Sequence, residues 1–332
     1  MNIILGGPPS SGSSLLSVLL RRHSKIYVEQ ETHLLSKAGL YVQWLRKREA
    51  IYKDRYVYLP SPGWHMLNGV ILPSSPSVMQ AKLQEMVTGA ADLAAFIEMY
   101  FNELLQLTDS QIWGEKTPSN IFFFDRIQRV LPESIFLCPI RNPYDIVASL
   151  VHRGLSTYRA CGLCLTQLYM VYIQLHHVDA LLVKYEDLVS EPVQTMKEVF
   201  AYIGVSYEEV LSSATAQVRL PGWKYYEDGH IGKGSIDRFR SLDLHQQQDI
   251  LYFTNHFTVN ETFIDQLVPK LRSHNAEIGI NDLTTFFGYE PPIVKLDNHT
   301  SFKIDRLQDR LRRLLKLHPS FIHYPIKKKQ AH

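Results

Sequence analysis

The chain has 332 residues, of which 45% are hydrophobic and 20% are charged, so it can form one large domain or two smaller ones. A formal net charge of +2 excludes a general electrostatic affinity for nucleic acid, and three cysteines exclude a disulfide framework. The sequence shows no charged leader with a long apolar stretch and no run of about 18 apolar residues, so we expect a cytoplasmic protein without a membrane partner.

Residues 2–22 predict a strand, a loop and a helix. Residues 3–5 are an apolar run of strand length, and a leucine-rich segment with helical spacing follows a turn of glycine, proline and serine. Such a turn directs backbone N–H groups and the positive end of the helix at one point, which suits phosphate. The spacing from Gly7 to Gly12 fits the start of a triphosphate-binding loop, but Ser13 stands where that motif has lysine. We therefore favour a phosphate site that is not made for a triphosphate, with an ordinary turn as the alternative.

A second predicted strand, residues 25–28, ends in two carboxylates and a histidine, Glu29, Glu31 and His33. Because the carboxyl ends of strands carry the ligand crevice in open α/β sheets, these side chains are a candidate acid–base cluster. A solvated turn before the next helix is the alternative interpretation.

The next part of the chain alternates between helical and irregular patterns. Residues 34–53 and 79–108 have helical spacing, whereas residues 54–78 are rich in proline and aromatic side chains and show no period. A long irregular segment in a compact domain is often a lid or a binding loop, so the segment with Trp64 and His65 is a candidate part of an acceptor site. Aromatic side chains that only cover the core are the alternative.

Residues 111–118 predict a strand that hands over to a helix. Thr117 fits an N-cap and Pro118 fits the first helical position. Lys116 is therefore expected at the end of the strand, on the crevice side.

A cationic pocket is predicted after the apolar strand of residues 134–140. Arg141 lies at the entrance of a helix that Asn142 can cap, and Ser149 and Arg153 share one face of that helix. Two guanidinium groups and a hydroxyl suit a doubly charged phosphate. An ordinary surface helix with two arginines is the alternative.

The rest of the chain predicts further alternation of helices and strands. The loop over residues 214–236 places Lys233 between two glycines, which indicates either an anion cradle or a surface turn. The final lysines, residues 327–329, are interpreted as a solvated tail. The other predicted elements are a strand at 180–183 and helices at 160–178, 192–204, 241–274 and 302–317.

Several motifs occur together in one order: PPSSGSSLL, EQETH, GEKTP, RNPYDIVAS with the trailing Arg153, VKYEDLV and IGKG. In this combination the chain resembles sulfotransferases that use 3′-phosphoadenosine-5′-phosphosulfate (PAPS), nearest the branch of protein-tyrosine sulfotransferases and bacterial small-molecule enzymes. The resemblance covers about residues 1–255 and implies a P-loop-like α/β domain with a central parallel sheet flanked by helices. We interpret residues 54–108 as an insertion or lid and residues 256–332 as a C-terminal helical extension packed on that domain.

The resemblance also implies roles for individual residues. Glu31 matches the general base of the tyrosine-sulfating members, and Lys116 matches a lysine that stabilises the transferred group and the leaving phosphate. The acceptor side is expected to include His33, Trp64 and His65. The residues implied in donor binding are Ser10, Ser11, Gly12, Ser13 and Ser14 for the 5′-phosphate and sulfo group, Arg141, Ser149 and Arg153 for the 3′-phosphate, Tyr185 for the nucleotide, and Lys233 and Gly234 for a closing loop.

Two positions depart from the family pattern. Ser10 stands where the family usually has arginine or lysine, so a cation between the sulfo group and the leaving phosphate is missing from the loop. His33 stands where the tyrosine-sulfating branch has arginine, so peptide recognition need not carry over.

The predicted function is transfer of a sulfo group from PAPS to a hydroxyl or amine of a small-molecule acceptor, such as a natural product, by in-line displacement. The products are the sulfated acceptor and adenosine 3′,5′-bisphosphate, and we expect no metal. The C-x-x-C pair of Cys161 and Cys164 is interpreted as two small apolar residues of a helix. Two alternatives stay open: a P-loop kinase of small molecules or nucleotides, and a non-catalytic nucleotide-binding protein, which only Ser10 favours.

Overall fold

A parallel sheet forms the centre of the protein. A computed structural model describes residues 1–49, 51, 76–209, 236–259, 277–293 and 326–328, and within these the central sheet has five strands. Their order is β2-β3-β1-β4-β5, and each pair of neighbours is parallel. Since β1 is central, the loops that follow the other strands flank the loop that follows β1. In chain order the strands are β1 (Asn2–Leu5), β2 (Ile26–Gln30), β3 (Ile112–Lys116), β4 (Ser134–Ile140) and β5 (Ala180–Lys184).

Helices cover both faces of this sheet. One short 3-10 helix, Pro118–Phe122, follows β3. A second, Arg238–Ser241, comes just before the α-helix that begins at Leu244. The α-helices are α1 (Ser13–Leu20), α2 (Ala38–Val42), α3 (Trp44–Lys47), α4 (Pro76–Gly89), α5 (Leu93–Thr108), α6 (Phe124–Val130), α7 (Pro143–His152), α8 (Thr157–Gln174), α9 (Tyr185–Ser190), α10 (Pro192–Ile203), α11 (Leu244–His256) and α12 (Ile280–Phe286). None of the helices in the described ranges has the length and apolarity that crossing a membrane requires.

The two faces of the sheet bury separate apolar cores. Every residue of β1 is buried, because Ile3 and Leu5 pack with α1 and α10 while Ile4 packs with the core that contains α8. Alternate side chains of a strand point to opposite faces, so a strand that is covered on both faces is continuously apolar. The predicted P-loop-like α/β fold with a parallel sheet is therefore confirmed.

Several predicted boundaries agree with the structure, and others are wrong. The strand at 134–140 has the predicted bounds, and the Asn142 side chain caps α7 by accepting a hydrogen bond from the Tyr144 amide. The helix predicted over 34–53 is instead the two short helices α2 and α3, because Gln43 leaves the helical region with φ −139° and ψ 47°. The helix predicted over 79–108 is α4 and α5, separated where Asp92 caps α5.

The end of the chain also differs from the prediction. The helix predicted over 241–274 ends at His256, and the chain continues as strand β6 (Phe257–Val259), which pairs antiparallel with β7 (Ile326–Lys328). Two of the terminal lysines, Lys327 and Lys328, therefore lie in a strand. Phe257 and Val259 are buried, and burying them in the core favours the extended pairing. The predicted helix at 302–317 lies outside the described residues, and the domain boundary at 255 and the insertion at 54–108 stay predictions.

Candidate functional site

The loop between β1 and α1 is tight and is shaped by its glycine. Gly12 has φ 94°, and a Cβ at this position would lie 2.5 Å from Cδ2 of Tyr185. The buried Ser11 hydroxyl donates to the Pro8 carbonyl at 2.6 Å, a hydrogen bond within the loop that holds its two sides together. Ser13 and Ser14 begin α1, so the loop ends at a helix N-terminus that can receive an anion.

Both predicted phosphate-binding arginines reach this loop. Nη1 of Arg141 donates to the Ser10 carbonyl at 3.2 Å, and Nη1 of Arg153 donates to the Ser10 hydroxyl at 3.2 Å. The Arg141 guanidinium also lies over the ring of Tyr185, 4.9 Å from its centroid. The structure thus brings the serine loop, Tyr185 and both ends of α7 together, although they are far apart in the sequence.

A third arginine, which the sequence reasoning missed, joins this group. Nη1 of Arg238 donates to the Ser149 hydroxyl at 3.1 Å. The turn that carries Arg238 is fixed to α7 by Asp145, whose carboxylate accepts hydrogen bonds from the amides of Asp237 at 2.9 Å and Phe239 at 3.0 Å. A signal was present for Asp145, because residues 141, 145, 149 and 153 are spaced by four and form one stripe of the helix. For Arg238 the only signal was its place just after the Lys233 loop.

The charges around Arg141 make this region suitable for an anion. Burial is the main cause that lowers the pKa of Arg141, and the positive charge of Arg238 lowers it further. Asp145 opposes this effect and lies 3.7 Å from Nη2 of Arg141. Glu186 also opposes it, but the three arginines, Arg141, Arg153 and Arg238, outnumber these two carboxylates, so a bound phosphate would stabilise the cluster.

The predicted acid–base residues form an ion pair at the ends of neighbouring strands. Nζ of Lys116 lies 2.5 Å from Oε1 of Glu31 and 3.3 Å from the hydroxyl of Ser14. The Lys116 side chain is 3% exposed, whereas the Glu31 side chain is 41% exposed. The ammonium is therefore buried between the carboxylate and the loop, and the carboxylate opens to an incoming molecule.

Backbone strain is concentrated around the same residues. Ser10, Glu31 and His33 have φ values of 63°, 45° and 54°. These values lie in the left-handed region of the backbone, which residues other than glycine rarely adopt. Each such residue costs about 1–3 kcal/mol and persists only where surrounding contacts hold it. Asp237, which precedes Arg238, has φ 61° as well. These strained residues indicate a site whose geometry is enforced by the fold.

The sequence profile of the sulfotransferase family matches residues 2–209. The chain belongs to the sulfotransferase family. Protein-tyrosine sulfotransferase 2 of Gallus gallus is 22% identical to it over 233 residues, which are 66% of this chain and 55% of that relative. The chain therefore spans just over half the length of the curated relative that it matches.

Solved sulfotransferase domains share the fold. The sulfotransferase domain of the Synechococcus PCC 7002 olefin synthase is 20% identical with a TM-score of 0.60, over 88% of this chain and 95% of that one. The sulfotransferase domain of the curacin biosynthetic pathway is 18% identical with a TM-score of 0.50, over 88% of this chain and 98% of that one. At these identities the likeness establishes the fold alone.

The part of the chain that matches the family contains most of the predicted site. It includes the serine loop, the Glu31–Lys116 pair and the residues of α7, and it ends before the second glycine-rich loop. His33 lies beside the pair, and burial lowers the pKa of its imidazole. Trp64, His65, Lys233 and Gly234 lie outside the described residues, so their roles stay predictions.

Proposed function

We propose that this protein transfers a sulfo group from PAPS to a hydroxyl or amine of a small-molecule acceptor. The observation that carries the proposal is the Glu31–Lys116 pair, with 2.5 Å between Nζ and Oε1, beside a phosphate-type loop in a sulfotransferase chain. A carboxylate that can take a proton, next to a cation that can stabilise a leaving phosphate, is what such a transfer requires.

The residues around the loop suit the donor nucleotide. Residues 10–14 would hold its 5′-phosphate and sulfo group, and Tyr185, packed against Gly12, would contact the nucleotide. Arg141 and Ser149 would bind the 3′-phosphate, with Arg238 added to the residues that the sequence indicated. The fit is supported by the absent side chain at Gly12, which lets backbone approach a ligand closely, and by the guanidinium groups that gather near Ser149. Lys233 and Gly234 would close over the nucleotide.

The proposed transfer needs one proton acceptor and one stabilising cation. The acceptor oxygen or nitrogen forms a bond to sulfur while the bond from sulfur to the bridging phosphate oxygen breaks, and that oxygen keeps the electron pair. Glu31 accepts the proton of the acceptor, and Lys116 donates to the oxygen on which negative charge develops. An ammonium has three N–H donors, so Lys116 can meet the loop, the carboxylate and a leaving oxygen from one position.

The chemistry around Glu31 favours a small acceptor over a protein. His33 occupies the place where the resemblance to the tyrosine-sulfating branch implies arginine, so a permanent cation of a peptide site is replaced by an imidazole whose pKa burial lowers. The solved domains with the same fold are named for an olefin synthase and for the curacin biosynthetic pathway. We therefore propose an acceptor of natural-product type, bound against residues 54–78 and 221–228.

Turnover with a defined acceptor panel tests this function. The protein would be incubated with PAPS and with phenols, aliphatic alcohols and amines, and mass spectrometry would detect sulfated products and released adenosine 3′,5′-bisphosphate. Phosphorylated products with ATP in place of PAPS would support the kinase alternative. Tight binding of adenosine 3′,5′-bisphosphate without transfer to any acceptor would support the non-catalytic alternative.

Substitution of the proposed base gives a sharper prediction. Glu31→Gln removes the proton acceptor and should lower the transfer rate by about 10²–10⁴-fold. Affinity for adenosine 3′,5′-bisphosphate, measured by calorimetry, should change little because the residues proposed to bind it are untouched. Glu133→Gln, at an exposed position before β4, is the control and should behave as the wild type. Near-normal turnover by Glu31→Gln would refute the assignment of the base.

A further inference from the structure

A carboxylate without a role in the proposed reaction lies next to the Glu31–Lys116 pair. Glu115 directly precedes Lys116 in β3, and it is completely buried, with 0% exposure. A buried carboxylate is unfavourable unless hydrogen bonds replace the water that it has lost. The residues that donate to Glu115 therefore show which part of the protein depends on it.

All the described partners of Glu115 flank the catalytic pair. Its Oε1 accepts from the Thr32 amide at 3.0 Å, the Thr32 hydroxyl at 2.8 Å and the Thr117 hydroxyl at 2.5 Å. Its Oε2 accepts from the side-chain amide of Asn120. Burial raises the pKa of Glu115, and the hydrogen bonds from Thr117, Asn120 and Thr32 oppose that rise. An ionised carboxylate only accepts, so a set made up of donors matches the charged form.

These bonds continue the contact between the strands beyond the point where β2 ends. Regular pairing of β2 with β3 stops at Gln30 and Lys116. After it the Glu31 amide donates to the Lys116 carbonyl at 2.6 Å, and the His33 amide donates to the Thr117 hydroxyl at 3.2 Å. Glu115 supplies the bond between them, at Thr32. The segment 31–33 is thus held to the segment 115–117 at each residue.

The segment needs this support because its backbone is strained. Glu31 and His33 lie on either side of Thr32, and both have a left-handed φ, of 45° and 54°. Such conformations persist where the surroundings over-determine them. The only residue between the two strained positions is the one that Glu115 binds twice, through its amide and its hydroxyl.

We propose that Glu115 is a positioning residue that locks Thr32 and Thr117 and thereby fixes the Glu31 carboxylate against Lys116. The effect of Glu115 on catalysis rests on the proposed function. The hydrogen bonds by which Glu115 locks Thr32 and Thr117 do not depend on it. Glu115 is fully buried, and its carboxylate oxygens are occupied by Thr32, Thr117 and Asn120. It acts through the orientation of the residue that takes the proton.

Amide hydrogen exchange, followed by mass spectrometry, tests the lock without any acceptor. Glu115→Gln keeps the shape of the side chain but places N–H donors where Thr32, Thr117 or Asn120 already donate. Exchange in the peptide that contains residues 31–34 should become at least roughly tenfold faster, while peptides of β1 and β4 stay unchanged. Unchanged exchange in residues 31–34 would overturn the proposal.

A second variant, Thr32→Val, is less disruptive and keeps the proposal testable if Glu115→Gln does not fold. Thr32→Val removes one hydroxyl donor and leaves the backbone amide of residue 32, Thr117 and Asn120 on the carboxylate. It also removes the acceptor of the Leu34 amide, so for this variant the exchange is read at residues 31–33, where it should accelerate by a smaller factor. Thr166→Val is the matched control, because the Thr166 hydroxyl is also buried but donates to the Gly162 carbonyl within α8. This control should leave the exchange of residues 31–34 unaltered. If Glu115→Gln does not fold, unaltered exchange in Thr32→Val overturns the proposal.

PAPS turnover separates positioning from general destabilisation. Glu115→Gln should lower kcat by about 10–100-fold and leave the Kd for adenosine 3′,5′-bisphosphate within about threefold of the wild type. In a Glu31→Gln background the same change should alter kcat by less than about threefold, since no base remains to be oriented. Equal losses in both backgrounds would overturn the catalytic part of the proposal. If the wild type shows no PAPS turnover, the proposed function fails, and the exchange result still decides the lock.

Discussion

Ser10 is the residue at which this chain departs most from the family to which it belongs. Sulfotransferases that the chain resembles usually carry arginine or lysine there, on the loop itself. In the structure the Ser10 hydroxyl accepts from the guanidinium of Arg153, at 3.2 Å, and its carbonyl accepts from Arg141. Positive charge therefore reaches the loop from residues at both ends of α7 rather than from the loop residue itself.

Substitutions of Arg153 and Ser10 test whether Arg153 supplies the positive charge that Ser10 lacks. Arg153, which the resemblance implies at the 3′-phosphate, also contacts Ser10 on the loop. We propose that its charge acts at the transferred group as well, so Arg153→Ala should lower the sulfo-transfer rate by roughly 10². Ser10→Arg in the Arg153→Ala background should restore part of that loss, because it returns a cation to the loop. Arg129→Ala, which removes an exposed arginine of α6, is the control. An Arg153→Ala protein with wild-type kinetics would contradict this role for the arginine.

His33 gives a prediction for the pH dependence of stability. Its pKa is lowered from 6.5 chiefly by burial and also by Lys37 and Lys116, while Glu31 opposes the shift. Below pH 6.5 the unfolded chain therefore binds more protons at His33 than the folded chain, so stability falls as the pH falls through this window.

The comparison uses His33→Gln, which cannot be protonated. The free energy of unfolding of the wild type minus that of the variant should decrease as the pH is lowered from 6.5 towards the folded-state pKa of His33. Well above 6.5, where His33 is neutral in both the folded and the unfolded chain, the difference should be constant. Urea denaturation at a series of pH values measures it, and a difference that grows on acidification would show that the sign is wrong.

The loop between β1 and α1 is the element on which the proposed donor site depends. Its geometry combines a left-handed glycine, Gly12, with contact to Tyr185 of α9. Another left-handed glycine, Gly204 at the end of α10, has no atom within 4 Å of the place where a Cβ would lie. The two positions therefore share the same backbone requirement and differ only in their surroundings.

This difference predicts unequal effects of one substitution. Gly204→Ala should cost about 1–2 kcal/mol of stability, the strain of a left-handed alanine, and should leave nucleotide binding unchanged. Gly12→Ala adds a clash with the Tyr185 ring to the same strain, so it should cost more stability than Gly204→Ala. It should also weaken binding of adenosine 3′,5′-bisphosphate by at least roughly tenfold. Thermal unfolding and calorimetry measure the two effects. Equal behaviour of the two variants would contradict the role assigned to the contact with Tyr185.

At the scale of the whole molecule, one carboxylate joins parts of the chain that lie far apart in sequence. Asp145 of α7 accepts from two amides of the turn at residues 237–239 and lies 3.7 Å from Arg141. Through it the turn that carries Arg238 is attached to the helix that carries Ser149. The cationic cluster is therefore a property of the folded chain and not of any single element.

Removal of this carboxylate should affect stability and binding together. Asp145→Ala leaves the buried Phe239 amide and the partly buried Asp237 amide without their acceptor and should cost about 1–3 kcal/mol in urea denaturation. It should also weaken adenosine 3′,5′-bisphosphate binding, since Arg141 and Arg238 lose their common anchor. Asp243→Ala removes a helix cap of α11, should cost about 1 kcal/mol, and should leave binding unchanged. Intact nucleotide affinity in Asp145→Ala would argue against a shared anchor.

The sequence alone specified the local elements, because their causes lie within a few neighbouring residues. The apolar runs of β1 and β4, the Asn142 cap of α7 and the glycine-bearing loop follow from burial, capping and backbone freedom. It also indicated Glu31, Lys116 and Arg141 as site residues, because each follows a strand whose carboxyl end faces the crevice.

Only the tertiary structure decided which of those residues meet. Lys116 pairs with Glu31 across 85 positions of sequence, and Arg238 reaches Ser149 across 89. Those contacts depend on the strand order β2-β3-β1-β4-β5 and on where the turn after α10 returns to α7. The partner of a polar side chain depends on which strand ends and turns become neighbours in space. No short-range sequence pattern encodes that neighbourhood.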